Sequence, residues 1–153
     1  EIVGLERSSF RRKKAQELGA DMVTDREETV EEIRRNYPRQ GFDVVIETVG
    51  KPATIGLSLS AAAKGGQVTF VGLSTSPVEL DHFHLVASGI HISCSMGYFV
   101  EHWDMAMRIA GNGQVDLDGL VTGRYPLARV EEGFRALMDP EENLKIMICV
   151  QAE

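Results

Sequence analysis

The chain has 153 residues, of which 43% are hydrophobic and 25% are charged, the proportions of an ordinary globular protein with room for one core. Its net charge of −7 at pH 7 argues against a nucleic-acid partner, and no apolar run approaches the roughly 18–20 residues of a membrane span. Cys94 and Cys149 lie in apolar, strand-like runs without a Cys-x-x-Cys motif, which predicts free thiols in a reducing, cytoplasmic compartment.

Strand-like and helix-like segments alternate through the first half of the chain. Short apolar runs predict the strands, whereas serine caps, glycines and prolines mark the helix ends. In chain order we predict a strand at 2–5, a helix from Ser8 or Ser9 to about Leu18, a strand at 22–24, a helix at 29–36 ended by Pro38 and Gly41, a strand at 42–47, a helix from Pro52 that includes Ala62 and Ala63 and breaks at Gly65-Gly66, and a strand at 67–72.

The second half is less regular but continues the alternation. It predicts a short helix at 81–88, a strand at 90–95, a helix with Val100, Trp103, Met107 and Ala110 on one face, an extended segment at 120–125, a helix at about 130–138 and a last strand at 144–150. Alternating strands and helices predict an α/β fold with a parallel sheet covered by helices on both faces. The continuous apolar centre of strand 42–47 is typical of such a buried strand.

Glu6 directly follows the first predicted strand. In dinucleotide-binding folds, an acid at the end of the second strand holds the adenosine ribose about 20 residues after a glycine-rich phosphate loop. Because Glu6 is the sixth residue, the pattern predicts a Rossmann-type sheet without its first strand and glycine-rich loop. The alternative is a plain surface acid.

Charges around Glu6 bear on the choice of nucleotide. A carboxylate there repels a 2′-phosphate and favours NAD, whereas Arg7 could pair with that phosphate, so NADP stays possible. Arg11, one helical turn further, either reaches the same ribose or is solvated. The run Arg11-Arg12-Lys13-Lys14 favours a solvated helix face.

Small residues follow three predicted strands. They are Thr48-Val49-Gly50, Gly72-Leu73-Ser74 and Ser95-Met96-Gly97. Ligands of open α/β sheets bind outside the carboxyl ends of the strands. One glycine after a strand indicates only a turn, but three in succession favour a flat ligand lying across the sheet edge.

The sequence predicts neither a metal site nor a catalytic residue. His82 and His84 with Asp81 could suggest metal ligands, but positions i and i+2 of a helix do not face each other. His91 and His102 stand alone, and no Ser/His/Asp or Cys/His nucleophile pattern occurs.

Together these stretches resemble the cofactor-binding, C-terminal half of medium-chain dehydrogenases/reductases, within the zinc-dependent polyol and threonine dehydrogenase branch. The resemblance runs in order along nearly the full length. Its motifs are Val3-Gly4-Leu5-Glu6-Arg7, Ala15-Gln16-Glu17-Leu18-Gly19-Ala20-Asp21, Phe42-Asp43-Val44-Val45-Ile46-Glu47-Thr48-Val49-Gly50, Lys64-Gly65-Gly66-Gln67-Val68-Thr69-Phe70-Val71-Gly72, Ser95-Met96-Gly97-Tyr98, Gly113-Gln114-Val115-Asp116-Leu117 and Leu120-Val121-Thr122-Gly123-Arg124-Tyr125-Pro126-Leu127.

The resemblance implies a role for each candidate residue. Glu6, with Arg7 and Arg11 beside it, would contact the adenosine ribose. By the same resemblance, Thr48 and Val49 would flank the adenine side, Val71, Gly72 and Leu73 would lie near the nicotinamide ribose, and Ser95 and Met96 would offer backbone groups to the carboxamide.

It also implies an organisation. Residues 1–124 would be a partial NAD(P)-binding Rossmann domain, and residues 125–153 would return toward a catalytic domain, with the last strand pairing outside the cofactor sheet. Strand 90–95 would be a sheet edge, and such edges suit a homo-oligomer. The catalytic domain, with zinc and the small alcohol substrate, would lie outside this chain, so we expect the chain alone to be inactive.

The missing strand predicts a structural consequence. Its neighbours would lose backbone partners, at roughly 1–3 kcal/mol for each buried unpaired group. We therefore expect the chain to be part of a longer polypeptide. If it folds alone, strands 2–5 and 44–47 should pair directly or another chain should fill the gap.

The sequence leaves other functions open. The first is a zinc-free quinone or enoyl reductase of the same superfamily, distinguished by Cys and His ligands upstream. The others are a methyltransferase-like α/β domain and a non-catalytic nucleotide-binding or assembly module.

Overall fold

A computed structural model of the chain describes residues 1–37 and 39–150, so the predicted helix end at Pro38 lies outside the described residues. The strands are β1 (Val3–Leu5), β2 (Met22–Thr24), β3 (Phe42–Glu47), β4 (Ala62–Phe70), β5 (His91–Cys94), β6 (Val121–Pro126) and β7 (Lys145–Cys149). The helices are α1 (Ser9–Glu17), α2 (Glu27–Arg35), α3 (Pro52–Ala61), α4 (His82–Ser88), α5 (Val100–Gly111) and α6 (Val130–Ala136), with 3-10 turns at Asp118–Leu120 and Leu127–Arg129. The predicted order of elements is confirmed.

The strand pairings are all parallel, which confirms the predicted α/β class. The strands form three sheets of order β1-β2, β3-β4-β5 and β6-β7, rather than one. As predicted, β5 is a sheet edge and β7 pairs outside the sheet that contains β3. The direct pairing expected between β1 and β3 does not occur within the described residues, where β1 pairs with β2 and β3 with β4.

The chain divides into two compact units. The first, which we call the terminal unit, contains residues 1–25 and 98–153, and the second, the central unit, contains residues 26–97. Each is described by itself below.

The core of the central unit lies between α3 and the sheet β3-β4-β5. Pro52 occupies the first turn of α3, where a missing N–H costs nothing. Ile55 and Leu59, one turn apart on α3, pack on Val68, which is fully buried at the centre of β4. This arrangement holds the carboxyl ends of the three strands in place.

Ala62 and Ala63 belong to β4, so their prediction as helix residues is wrong. Ala62 is in register with Phe42 of β3, and a side chain at Gly41 would lie 2.5 Å from the Ala63 nitrogen. Strand pairing and this close approach outweigh the helix preference of alanine, because propensity is worth less than tertiary contacts.

β3 is buried on one face only, which corrects the prediction of a strand covered on both faces. Val45 packs against the core, whereas Val44 and Ile46 are 59% and 64% exposed. In the sheet of the central unit β3 is an edge strand and α3 packs on the face that carries Val45 and Val68. Alternate residues of a strand point to opposite faces, so Val44 and Ile46 share the uncovered one.

In the terminal unit, α6 packs on the parallel pair β6-β7. Gly133 of α6 is buried there, and a Cβ at this position would lie 3.0 Å from Ile148 Cδ1. The predicted apolar face of α5 is mostly exposed, with Val100 at 76% and Trp103 at 56%. No helix in the described ranges is long and apolar enough to cross a membrane.

Candidate functional site

The three strand ends of the central unit lie side by side. The last residues of β3, β4 and β5 are in register, with Glu47 opposite Phe70 and Phe70 opposite Cys94. The ladder continues beyond them, because Val71 N donates to Glu47 O at 2.8 Å and Ser95 N donates to Phe70 O at 2.9 Å. The predicted stretches after the strands therefore meet at one edge of the sheet.

This edge, which we call the strand-end ledge, comprises Thr48, Val49, Val71, Gly72, Leu73, Ser95 and Met96. Its large side chains are apolar and open to solvent: Leu73 is 74% exposed and Met96 85%. Exposed apolar side chains suit an apolar, planar ligand. The ledge contains no titratable side chain.

Buried Glu47 holds two loops of the ledge together by hydrogen bonds, although the sequence analysis did not select it. It is 5% exposed, and its carboxylate accepts hydrogen bonds from Val49 N at 2.9 Å, from Gly50 N at 2.9 Å and from Thr54 Oγ1 at 2.8 Å. Its own carbonyl accepts from Val71 N and Gly72 N. One buried residue thus ties the loop after β3 to the end of β4. The sequence signal that could have identified Glu47 is an acidic residue at the end of an apolar strand.

Two glycines let the loops after β3 and β4 cross. Gly50 has φ +73°, a left-handed conformation that a residue with a side chain rarely adopts. A Cβ at Gly72 would overlap Gly50 N and lie 2.6 Å from Val49 N. A Cβ at Gly50 would also overlap Leu73 O, so the crossing depends on glycine at position 72 for a steric reason and at position 50 for both a steric and a conformational one.

Glu6, Arg7 and Arg11 lie in the terminal unit, at the junction of β1 and α1. Glu6 N donates to Thr24 O at 2.9 Å, which extends the pairing with β2. Its carboxylate Oε1 accepts from Ser8 N at 2.8 Å, and a carboxylate keeps further acceptor capacity beyond one such bond. Ser8, one of the two serines predicted as the cap, is the N-cap of α1, because its hydroxyl accepts from Arg11 N at 3.1 Å.

The basic run at the start of α1 is not simply a solvated face, which corrects that prediction. Arg11 Nη2 donates to Asn143 O at 3.1 Å. Arg12 Nη1 donates to the carbonyls of Glu6 and Arg7 at 2.8 and 2.6 Å, and its Nη2 lies 3.2 Å from Asp25 Oδ2. Arg12, which sequence reasoning passed over, braces the backbone that carries Glu6.

Glu141 also reaches the start of α1 from far along the chain. Its Oε2 accepts from Ser9 N at 3.0 Å, Ser9 Oγ at 2.8 Å and Phe10 N at 3.4 Å. Beside it, Ser8 Oγ donates to Pro140 O at 2.7 Å. The Ser9 hydroxyl lowers the pKa of Glu141 below its ordinary 4.5, with smaller contributions from nearby backbone amides. Sequence reasoning could not find this contact, because the partners are 132 residues apart.

We expect the Glu141 carboxyl to titrate with a midpoint below 4.5, and replacing Ser9 by alanine to move that midpoint upward. A carboxyl with a lowered folded-state pKa stabilises the fold above its unfolded pKa, and this contribution is lost as the pH falls through the folded value. Carbon-13 NMR titration of the glutamate carboxyls would measure both midpoints. An unchanged Glu141 midpoint in Ser9→Ala would show that the hydroxyl is not the cause.

The ten predicted residues thus fall into two groups. Glu6, Arg7 and Arg11 belong to the terminal unit, and the seven ledge residues belong to the central unit. Cys94 and Cys149 are free thiols, as the sequence predicted, and both are exposed. Within residues 1–37 and 39–150, no three His, Cys, Asp or Glu side chains could hold a metal ion together.

Comparison with known proteins identifies the family. The zinc-binding dehydrogenase family matches residues 1–112. The chain is 31% identical over 137 residues to L-threonine 3-dehydrogenase of Bacillus velezensis, covering 87% of this chain and 40% of that protein. It is 30% identical over 152 residues to human sorbitol dehydrogenase, covering 97% of this chain and 42% of the relative.

A solved structure agrees with this match. The chain superposes on 2R,3R-butanediol dehydrogenase from Bacillus subtilis with a TM-score of 0.86 and 27% identity, covering 98% of this chain and 44% of the other. The chain therefore spans about two fifths of the length of the relatives that it matches. The family match decides against the methyltransferase-like alternative. The chain belongs to the zinc-binding dehydrogenase family and corresponds to the cofactor-binding domain of its alcohol and polyol dehydrogenases.

Proposed function

We propose that the chain is the dinucleotide-binding portion of an NAD(P)-dependent alcohol or polyol dehydrogenase. The observation that carries this proposal is the strand-end ledge, where three parallel strands end in register and leave exposed apolar side chains at one edge. Two solved structures with the same fold hold such ligands, NADP in one and NADH in the other. When bound, the nicotinamide would exchange a hydride with the carbon of a secondary alcohol.

The residues of the chain would then bind and orient the nucleotide. The carboxylate of Glu6 suits the ribose hydroxyls, because it accepts hydrogen bonds and is held at a strand end. By the resemblance, Thr48 and Val49 of the ledge would contact the adenine side, Val71, Gly72 and Leu73 would lie near the nicotinamide ribose, and Ser95 and Met96 would contact the carboxamide. Glu47 and Arg12 act through the backbone and are positioning residues.

Zinc, which the family name implies, does not fit the residues that the structure describes. Among them, no three His, Cys, Asp or Glu side chains could hold a metal ion together, and His82 and His84 are exposed on the short helix α4. We infer that the zinc ligands and the contacts to a small alcohol substrate belong to a catalytic domain elsewhere in a longer protein. On this basis residues 1–124 serve cofactor binding, residues 125–153 lead toward the catalytic domain, and this chain alone lacks dehydrogenase activity.

Two other functions of the same fold remain to be tested against this one. A zinc-free quinone or enoyl reductase would lack Cys and His ligands in the rest of the protein, so the longer sequence distinguishes it. For a non-catalytic nucleotide-binding module, the full-length protein would form a homo-oligomer and bind nucleotide. It would show no dehydrogenase activity.

Nitrogen-15 NMR titration with NAD⁺ tests the proposal. We expect the backbone amides of Gly72, Ser95 and Met96 to shift in the central unit and those of Arg7 and Ser8 to shift in the terminal unit. Glu6→Gln should weaken binding about tenfold, because a charge-assisted hydrogen bond to the ribose is replaced by a neutral one.

Glu101→Gln is the matched control, since it removes the same charge from an exposed position of α5. If millimolar NAD⁺ shifts none of these amides, the proposal is wrong. Equal weakening by the Glu6 and Glu101 variants would remove Glu6 from the site.

A further inference from the structure

The first turn of α1 is already satisfied by carboxylates and a hydroxyl of the chain itself. Helix N-termini carry unpaired N–H groups and attract anions. Here Glu6 Oε1 accepts a hydrogen bond from the Ser8 amide, and the Ser8 hydroxyl accepts one from the Arg11 amide. Glu141 Oε2 accepts from the amides of Ser9 and Phe10. Two of the three acceptors carry a negative charge.

The segment that brings Glu141 is fixed by several independent contacts. Ser8, which is 2% exposed, donates to Pro140 O, and Arg11 donates to Asn143 O. Asp139 Oδ1 accepts from Glu141 N at 3.0 Å. The carboxylate of Glu141 is therefore held at the helix start by the backbone on both sides of it, and does not rest on a single surface contact.

Because the N–H groups at the start of α1 already have acceptors, they bear on the binding of a ribose with a 2′-phosphate. NADP differs from NAD by a phosphate on the adenosine 2′-oxygen. If Glu6 holds that ribose, the amides of Ser8, Ser9 and Phe10 are the backbone donors that the start of α1 could offer to the phosphate. These donors are taken, and the phosphate would meet two carboxylates in place of a free helix N-terminus.

The neighbouring guanidinium groups already donate hydrogen bonds within the chain. Arg11 donates to the Asn143 carbonyl, and Arg12 donates to the carbonyls of Glu6 and Arg7 and lies beside Asp25. Arg7 has an exposed side chain. Arg11 and Arg12 keep their positive charges, but the N–H groups that make these bonds are not available to a phosphate.

We propose that Glu141 is a second specificity-determining residue, which acts with Glu6 to make the adenosine end of the site accept NAD and reject NADP. The inference rests on the proposed function, because it requires the adenosine ribose to lie at Glu6. It assigns a role in nucleotide selection to the segment after α6, outside the strand–helix junction itself.

The test compares 5′-AMP with 2′,5′-ADP (adenosine 2′,5′-bisphosphate), two probes that differ only by the 2′-phosphate. NMR titrations of the wild-type chain should show at least tenfold tighter binding of 5′-AMP. In Glu141→Gln, which keeps an acceptor for Ser9, binding of 2′,5′-ADP should tighten about five- to tenfold while that of 5′-AMP changes less than twofold. The amides of Ser9 and Phe10 should shift with 2′,5′-ADP in the variant.

Glu142→Gln is the control, because it removes an equal charge one residue away at an exposed position. Its selectivity should match the wild type. Equal effects of the two variants, or unchanged selectivity in a folded Glu141→Gln, would overturn the inference while leaving the proposed function intact. Failure of both probes to bind the wild type would refute the proposed function, and the inference with it.

Discussion

Replacing Glu47 by glutamine is expected to lower the free energy of unfolding by about 2–3 kcal/mol and to disturb the strand-end ledge. The buried carboxylate accepts from two amides and one hydroxyl, and Gly50 N also lies 3.1 Å from its second oxygen. Glutamine places an NH₂ group at one of these oxygens, where it would face N–H donors in place of acceptors. Urea denaturation followed by circular dichroism would measure the loss.

Local readouts separate this effect from general destabilisation. Hydrogen exchange at Val49, Gly50 and Gly72 should accelerate more than exchange at the centre of β4. Glu32→Gln is the matched control, because Glu32 is exposed on α2 in the same unit. A Glu47 variant as stable as the control would show that the carboxylate does not hold the two loops together.

Gly72→Ala should be the most disruptive single methyl addition at the ledge, costing about 3 kcal/mol. The new Cβ would overlap Gly50 N and approach Val49 N to 2.6 Å, and these are backbone atoms that cannot rotate away. The loops after β3 and β4 would have to separate, so NAD⁺-induced shifts at Ser95 and Met96 should weaken as well. Urea denaturation and the NMR titration described above would measure both effects.

Gly56 offers a control in the same unit. It lies within α3, and a Cβ there meets nothing within 4 Å. Gly56→Ala should therefore stabilise the chain by about 0.5–1 kcal/mol, the usual helix preference of alanine over glycine. If Gly72→Ala were as well tolerated as Gly56→Ala, the close crossing would not exist in solution.

The element order was predictable because it depends on local signals. Pro52 at a helix start, the Ser8 cap and short apolar runs specify helices and strands within a few residues of themselves. The strand-end ledge was predictable for a related reason: parallel strands carry their carboxyl ends to one edge, so Val49, Gly72 and Met96 had to be neighbours once the strands were found.

Errors arose where contacts between distant residues outweighed local preference. Ala62 was predicted as helix because it continues the apolar face of Ile55 and Leu59, but its pairing with Phe42 places it in β4. Val44 and Ile46 were predicted as buried because apolar runs are typical of covered strands. Apolar composition shows which side chains favour burial, and not whether a neighbour is present to cover them.

By itself, then, the sequence determined the α/β class, the family resemblance and the candidate positions after each strand, since each follows from residue type and short-range spacing. Tertiary structure alone decided that Glu47 bonds the loop after β3, that the loops carrying Gly50 and Gly72 cross, and that Glu141 accepts a hydrogen bond at the start of α1. The physical reason is the distance along the chain between the residues that make contact. A hydrogen bond between residues 132 positions apart leaves no periodicity in the sequence, so only the folded backbone brings its donor and acceptor together.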